Sequence, residues 1–322
     1  MIESPLISIC IPTFNRENFL RQCLASIQAE GLPNGFEVVV SDNASTDGTP
    51  AVLEEFRQSL PLRRITQPSN IGPDANFNAI VSEARGDYIW LLGDDDIVLP
   101  GSLVKIKCKL EAEKPLLLQL GYVQDSSDLK LIRTISPVRA GLDIRGSLFD
   151  IAAYIRAQPN IGLLFAFISS FVFKRSCWKH GEYAEKLIGS YYIHLHQVHS
   201  SIASVASPVI AHLDQPGVMA RGDVPNGATA NVGGIMWLDA KTLATIGRVI
   251  YGDDPAVRSA LGHVFRKVYP LRTIASVLAQ TGKPIDEPAA SALMYLGYSK
   301  FQLGIAKTLG KPSLRNFALI FR

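Results

Sequence analysis

Tyr88-Ile89-Trp90-Leu91-Leu92-Gly93-Asp94-Asp95-Asp96, followed by Pro100, is the stretch on which the reading of this chain turns. Tyr88–Leu92 is apolar throughout and reads as a strand buried on both faces. Three carboxylates follow almost at once, and Pro100 opens the helical pattern Pro100–Glu113. Adjacent carboxylates repel one another, and burying them unpaired is costly. A hard divalent cation relieves that cost and also takes phosphate oxygens, so the cluster suits a nucleotide diphosphate. In isolation such a run is as readily a solvated acidic turn; its place after a buried strand makes it a candidate site.

Outward from this stretch the same pattern recurs. Leu6–Ile11 is short, apolar and β-branched, and Pro12 ends it. Glu17–Ala29 carries the helical stripe Phe19, Leu20, Cys23, Leu24 and Ile27. Phe36–Val40 and Leu62–Thr66 read as strands, Thr49–Leu60 and Pro73–Ala84 as helices, and Leu116–Tyr122 as a central strand. Strand–helix alternation predicts an α/β fold with a doubly wound, mainly parallel sheet. Ligands bind such sheets at the carboxyl ends of the strands. Polar clusters follow four strands in turn: Pro12–Arg16, Ser41–Asp47, Gln67–Asn78 and Gly93–Asp96. That coincidence says more than any single motif.

The second half is less regular. Ser147–Ala157 and Tyr191–Ala206 read as helices, Leu163–Phe173 as a buried strand and Pro208–Leu213 as another. Asp214–Gly234, with four glycines and two prolines, reads as a long mobile loop. Met236–Ile250, Pro255–Gln280 and Pro288–Leu309 read as helical. The expected division is a sheet-bearing domain with its polar edge over 1–215, then the loop and a helical C-terminal region over 216–322.

In the first loop Pro12, Thr13, Asn15 and Arg16 are ligand-binding candidates. Thr13 and Asn15 suit a base or ribose. Arg16 suits a phosphate, although an arginine opening a helix is more often a surface residue. Asp42 can accept a hydrogen bond from a pyrimidine N–H, or form an Asx turn; Asp47 suits helix capping better. Asn70, Gly72, Asn76 and Asn78 form a polar loop entering a helix, where Gly72 suits an unusual backbone angle and the asparagines suit a ligand or a cap. Arg221, with Asn226 and Asn231, lies in the predicted loop and suits a diphosphate, or an ordinary surface. His212 suits a metal shell or, more simply, a buried neutral ring.

Taken together, Pro12-Thr13-Phe14-Asn15-Arg16, Val40–Asp47, Asn70-Ile71-Gly72 and Gly93-Asp94-Asp95-Asp96 with Pro100 resemble the family 2 glycosyltransferases in order and spacing over roughly residues 5–120. The match is similar to the bacterial branch that builds O-antigen or capsular polysaccharide, and the Gly-Asp-Asp-Asp form resembles abequosyltransferase-like members. The resemblance implies a GT-A type fold. It also implies sugar transfer from a nucleotide-diphosphate donor to a glycan or polyprenyl-diphosphate-linked acceptor, assisted by Mg or Mn, with inversion. By position Thr13 and Asp42 resemble base contacts, Asp94 a ribose contact, and Asp95 and Asp96 the metal-binding end of the acidic motif, where Asp95 would assist catalysis. Many relatives place a first Asp where this chain has Gly93. Ser190 stands roughly where relatives carry a catalytic carboxylate. His194, one helical turn on, is the candidate base from its ordinary pKa, with a structural ring as the alternative. His196 and His199 point elsewhere on such a helix, and Glu182 and Glu185 lie just upstream.

Composition narrows the rivals. Hydrophobic residues make up 47% and charged residues 19%, which excludes a disordered chain. A net charge of +3 gives no sign of nucleic-acid binding. Cys10, Cys23, Cys108 and Cys177 form no CxxC pair, and free thiols suit a cytoplasmic setting. Residues 1–20 carry no signal-peptide pattern, and the apolar run Ile161–Phe173 falls short of the roughly 20 residues of a spanning helix. After Glu287 there is no acidic residue, while Lys300, Lys307, Lys311, Arg315 and Arg322 follow. This basic, apolar tail suits the inner membrane face, or a helix packed on the main domain or at an oligomer interface. A sugar nucleotidyltransferase would carry a glycine-rich loop after the first strand, and a Rossmann oxidoreductase a GxGxxG; Pro12–Arg16 has no glycine. A non-catalytic sugar-nucleotide-binding protein on the same scaffold is the remaining rival.

Overall fold

β1 (Ile7–Thr13) is buried at every position, so Ser8, Cys10 and Pro12, which alternate with its isoleucines, are buried along with them. The structure is a computed structural model and describes residues 4–125, 131–137, 150–221, 232–281 and 284–309. α1 (Glu17–Ala29) leads to β2 (Phe36–Asp42), α2 (Thr49–Arg57) to β3 (Leu62–Thr66), and α3 (Pro73–Glu83) to β4 (Tyr88–Leu91). β5 (Ile97–Val98), α4 (Ser102–Glu113), β6 (Leu117–Asp125), β7 (Leu131–Ile135), α5 (Ile151–Ala157) and β8 (Phe171–Lys174) follow. Then come α6 (Glu182–Glu185), α7 (Ile193–Ser204) and β9 (Ile210–Arg221). The helical remainder is α8 (Val232–Thr245), α9 (Pro255–Val268), α10 (Leu271–Thr281), α11 (Glu287–Tyr295) and α12 (Lys300–Leu309).

The sheet runs β3-β2-β1-β4-β8-β6-β9-β5, with β7 added beside β6. β3, β2, β1 and β4 are mutually parallel, as the alternation predicts. β8 enters antiparallel between β4 and β6, so the second half is mixed. β6 and β9 are parallel, with Asp125 opposite Arg221.

Chain contacts divide the described residues into two units. The first holds 4–125, 131–137 and 165–221; the second holds 150–164, 232–281 and 284–309. In the first, Val38–Val40 of β2 and Tyr88–Leu91 of β4 are buried apolar runs, and Trp90 donates from its indole N–H to the Ser169 carbonyl at 3.0 Å. Cys10 and Cys23 are buried thiols of this core, as their apolar setting predicts. Gly86 is held where β1 passes the start of β4. A β-carbon there would lie 2.5 Å from the Ser8 nitrogen and 2.8 Å from the Ile7 carbonyl carbon. Backbone cannot yield as a side-chain tip can, so Gly86→Ala is expected to destabilise by about 1–3 kcal/mol. A lower urea midpoint at unchanged slope is the check.

Several expected elements are corrected. Leu163–Phe173 is not one strand: short 3-10 turns at Gly162–Leu164 and Ile168–Ser170 precede β8. An apolar run alone does not distinguish these. Asp214–Arg221 is strand rather than loop, and 222–231 lies outside the described residues. Its turn-like residues sit in an irregularity of β9, where the register passes from Gln119–His212 to Gly121–Pro216. Pro270 separates α9 from α10 and Gly297, at φ +95°, separates α11 from α12, so two predicted long helices are four. In the second unit Asp150, Asp254 and Asp286 each cap a helix through a side-chain oxygen.

Candidate functional site

The end of β4 meets the first loop at the carboxyl edge of the sheet. The Thr13 hydroxyl donates to Asp94 Oδ2 at 2.7 Å. Arg16 bridges two carboxylates, reaching Asp94 Oδ1 at 3.0 Å and Asp95 Oδ2 at 2.8 Å. Ser169 Oγ accepts from the Gly93 amide at 2.9 Å and donates to Asp96 Oδ2 at 2.5 Å. Arg221 Nε donates to the Asp95 carbonyl at 2.8 Å, and its guanidinium also bonds Gln22 and lies over the Phe19 ring. The sequence candidates Thr13, Arg16, Asp94, Asp95, Asp96 and Arg221 are therefore one cluster, although Arg221 comes from β9.

Asp94 and Asp96 are 5% and 3% exposed. Burial is the main force raising the Asp94 carboxyl, to about 6, against the pull of Arg16. Burial, with the neighbouring Asp95 charge, raises Asp96 well above the usual carboxylate range. The cluster is thus short of positive charge. Gly93 gives the geometry that fits a cation. A β-carbon at residue 93 would lie 2.7 Å from Asp96 Oδ2 and 3.0 Å from Asp95 Oδ1. Two carboxylate oxygens converge over the bare glycine. Among the described residues no three His, Cys, Asp or Glu side chains form a complete metal site. A Mg-like ion suits two carboxylates completed by diphosphate oxygens, so the residues fit.

The neighbouring loops are tied to one another. Asn15, at φ +52°, accepts from the Thr46 amide at 2.7 Å, while its own amide donates to Ser45 Oγ at 2.9 Å. Asn70 accepts from the Asn43 side chain and from the Gly72 amide, and Gly72 takes φ +82°. Pro12 is buried in β1 opposite Ser41. Asp47 precedes the N-cap of α2, which is Gly48, rather than being that cap; its carboxylate accepts from the amides of Glu17 and Thr49, the first residues of α1 and α2. Asp42 is 1% exposed; it accepts from the Ser45 amide at 2.9 Å and pairs with Arg64 at 3.2 Å. Of its two readings, the local turn is the one this structure displays. Asn76 departs from the donor-binding expectation. It is buried, accepting from the Ser41 hydroxyl at 2.6 Å and donating to the Ser41 carbonyl at 3.2 Å, so it braces α3 against β2. Asn78 likewise accepts from the Trp178 indole.

His194 is also corrected. Its ring lies among Phe77, Phe171 and Tyr192, with centroids 5.9, 6.5 and 5.6 Å away. Nε2 lies 3.1 Å from the Ala166 carbonyl and so carries the proton. Burial pushes its pKa down to about 4. A ring this enclosed and this weakly basic is a core residue rather than a general base. His194 is expected to stay neutral throughout pH 5–8. Its ring protons will show no titration step near 6.5 by NMR; a step there restores the base reading.

Two residues that matter at this edge escaped the sequence reading. Ser169 buttresses both Gly93 and Asp96, and its only signal was a pair of serines interrupting an apolar run. Asp74, 1% exposed at the start of α3, accepts from the amides of Gly189, Tyr191 and Ile193 at 2.9, 2.7 and 3.2 Å and lies 3.4 Å from Ser190 Oγ. Burial pushes its carboxyl up, and these donors oppose that. It fixes the loop entering α7, where Tyr191 holds φ +60°. Nothing local marked it, because an acid in a first helical turn is ordinary. Glu182 lies in α6 and pairs with Lys186.

Residues 8–180, just over half of the chain, match the family model described as glycosyl transferase family 2. The chain belongs to that family. It is therefore a glycosyltransferase, and its fold is of GT-A type. Abequosyltransferase RfbV of Salmonella typhimurium is 28% identical over 317 residues, covering 95% of this chain and 94% of that protein. The crystal structure of S. aureus TarS 1-349 superposes with a TM-score of 0.62 at 14% identity, over 98% of this chain and 91% of that one. The mannosyltransferase PcManGT of Pyrobaculum calidifontis, in complex with GDP-Man and Mn2+, gives 0.53 at 18% identity, over 99% and 87%. These two structures are alike in fold. Family 2 membership removes the nucleotidyltransferase and oxidoreductase readings.

Proposed function

We propose that this family 2 glycosyltransferase moves a sugar, with inversion, from a nucleotide-diphosphate donor to a glycan or polyprenyl-diphosphate-linked acceptor in bacterial surface polysaccharide synthesis. The observation that carries the reading is the convergence of Asp95 and Asp96 over Gly93, beside Arg16 and Arg221. The full-length likeness to an abequosyltransferase supports the O-antigen setting, and the neighbour holding GDP-Man and Mn2+ supports a metal-assisted diphosphate.

In this reading the first unit is the catalytic one. Pro12, Thr13, Asn15, Asn70 and Gly72 line the base and ribose side, with Asp42 ordering the loop beside them and Asp94 near the ribose. Asp95 and Asp96 would hold Mg or Mn. The ion supplies positive charge to the departing nucleoside diphosphate. Arg16, already against Asp94 and Asp95, and Arg221, reaching in from β9, would bind the diphosphate oxygens. Ser169 keeps Asp96 in place.

The test is release of nucleoside diphosphate from a panel of sugar nucleotides, with Mn or with a chelator, beside lipid extract as acceptor source. Metal-dependent release stimulated by the extract supports the reading. Equal release with the chelator contradicts the metal role.

A further inference from the structure

α12 is apolar on two opposite faces. Leu303 and Ala306 are buried, and the helix packs against α10. On the other side Phe301 is 77% exposed and Ile305 37% exposed, one helical turn apart. Gly304 and Thr308, also exposed, complete an uncharged stripe with them. Lys300 and Lys307 share one flank of that stripe, roughly 100–120° round the helix from Phe301. Neither α10 nor α12 contains an Asp or Glu, while Arg272, Lys300 and Lys307 are all exposed. The sequence beyond residue 309 adds Lys311, Arg315 and Arg322, again without an acid.

An exposed phenylalanine costs little when it stands alone. A phenylalanine and an isoleucine aligned on one stripe, with lysines where they can snorkel, form a different pattern. An acidic protein surface would match the charge but would not need the apolar stripe. A second copy would bring the same cations against these. An anionic lipid surface satisfies both features, because apolar side chains enter the acyl boundary while lysines meet headgroup phosphates.

We propose that the exposed face of α12 docks on an anionic membrane, with Phe301 and Ile305 inserted and Lys300 and Lys307 at the headgroups. The proposal deepens the lipid-linked acceptor reading by naming the surface that would bring the enzyme to the bilayer. Its failure leaves the transfer reaction standing, because vesicle binding is read without donor or acceptor.

The full chain is incubated with vesicles of phosphatidylcholine alone, and with an equal mixture of phosphatidylcholine and phosphatidylglycerol, then sedimented. Binding is expected on the anionic vesicles only. The double variant Phe301→Ser/Ile305→Ser is expected to bind at least about tenfold more weakly, since membrane partition follows the buried apolar area. Lys300→Gln/Lys307→Gln is expected to narrow the difference between the two vesicle types. Both residues replaced by serine are exposed, so thermal melting and nucleoside diphosphate release in solution stay unchanged. No binding to anionic vesicles overturns the proposal. So does binding that persists in the serine variant, or a wild-type dimer by light scattering that the serine variant dissolves without any vesicle binding.

Discussion

Asp96→Ala is expected to lower transfer by about a thousandfold while leaving the protein no less stable. The loss follows from charge. Metal stabilisation of a leaving diphosphate is worth several kcal/mol, and each 1.36 kcal/mol is about tenfold in rate. The stability follows from the sign of the shift. Burial raises the Asp96 carboxyl above its ordinary value, so the folded state binds its proton more tightly than the unfolded chain does. Above the ordinary carboxylate pKa the ionised group therefore opposes folding, and that cost is fully present above the raised value. Removing the carboxyl removes the cost, and the Ser169 hydroxyl remains bonded to the Gly93 amide. The check pairs nucleoside diphosphate release with thermal melting. A variant that melts well below wild type would mean that Asp96 supports the fold rather than the reaction.

Gly93→Ala is the second large effect, expected to reduce transfer about a hundredfold. A methyl at that position would meet Asp96 Oδ2 at 2.7 Å and Asp95 Oδ1 at 3.0 Å. Both atoms are tips of side chains, so they move aside and the fold survives, unlike the backbone collision at Gly86. Misplacing catalytic groups by about 1 Å can cost on the order of a hundredfold. The measurement is transfer at rising Mn. Activity restored in part by excess Mn would show weakened metal affinity, as the geometry requires. Wild-type activity at every Mn concentration would remove Gly93 from the account.

The parallel half of the sheet was legible because β1, β2 and β4 carry short apolar runs closed by polar residues, and α1 and α2 bury clear apolar stripes. The acidic cluster, Thr13 and Arg16 were legible for the same reason: they sit at or just beyond the ends of strands. The mixed half was not. The apolar residues before β8 fold as two tight turns, and β9 carries a proline and a glycine that imitate a loop. Pro270 and Gly297 were visible breaks that helical periodicity overrode in the reading. Ser169 and Asp74 act on residues at least 73 and 115 positions away, and sequence has no local sign for a partner at that range. His194 failed for a related reason. Its spacing on α7 was right for a site, but the aromatic box that buries it is assembled from α3 and β8.

The most direct test of the account is calorimetry of a panel of nucleotide sugars and nucleoside diphosphates, with and without Mn, on the wild type and on Asp95→Ala. The account predicts that one nucleotide class binds, that Mn strengthens it, and that Asp95→Ala loses the Mn-dependent part. Binding of equal strength in Asp95→Ala, or no nucleotide bound under either condition, would contradict it.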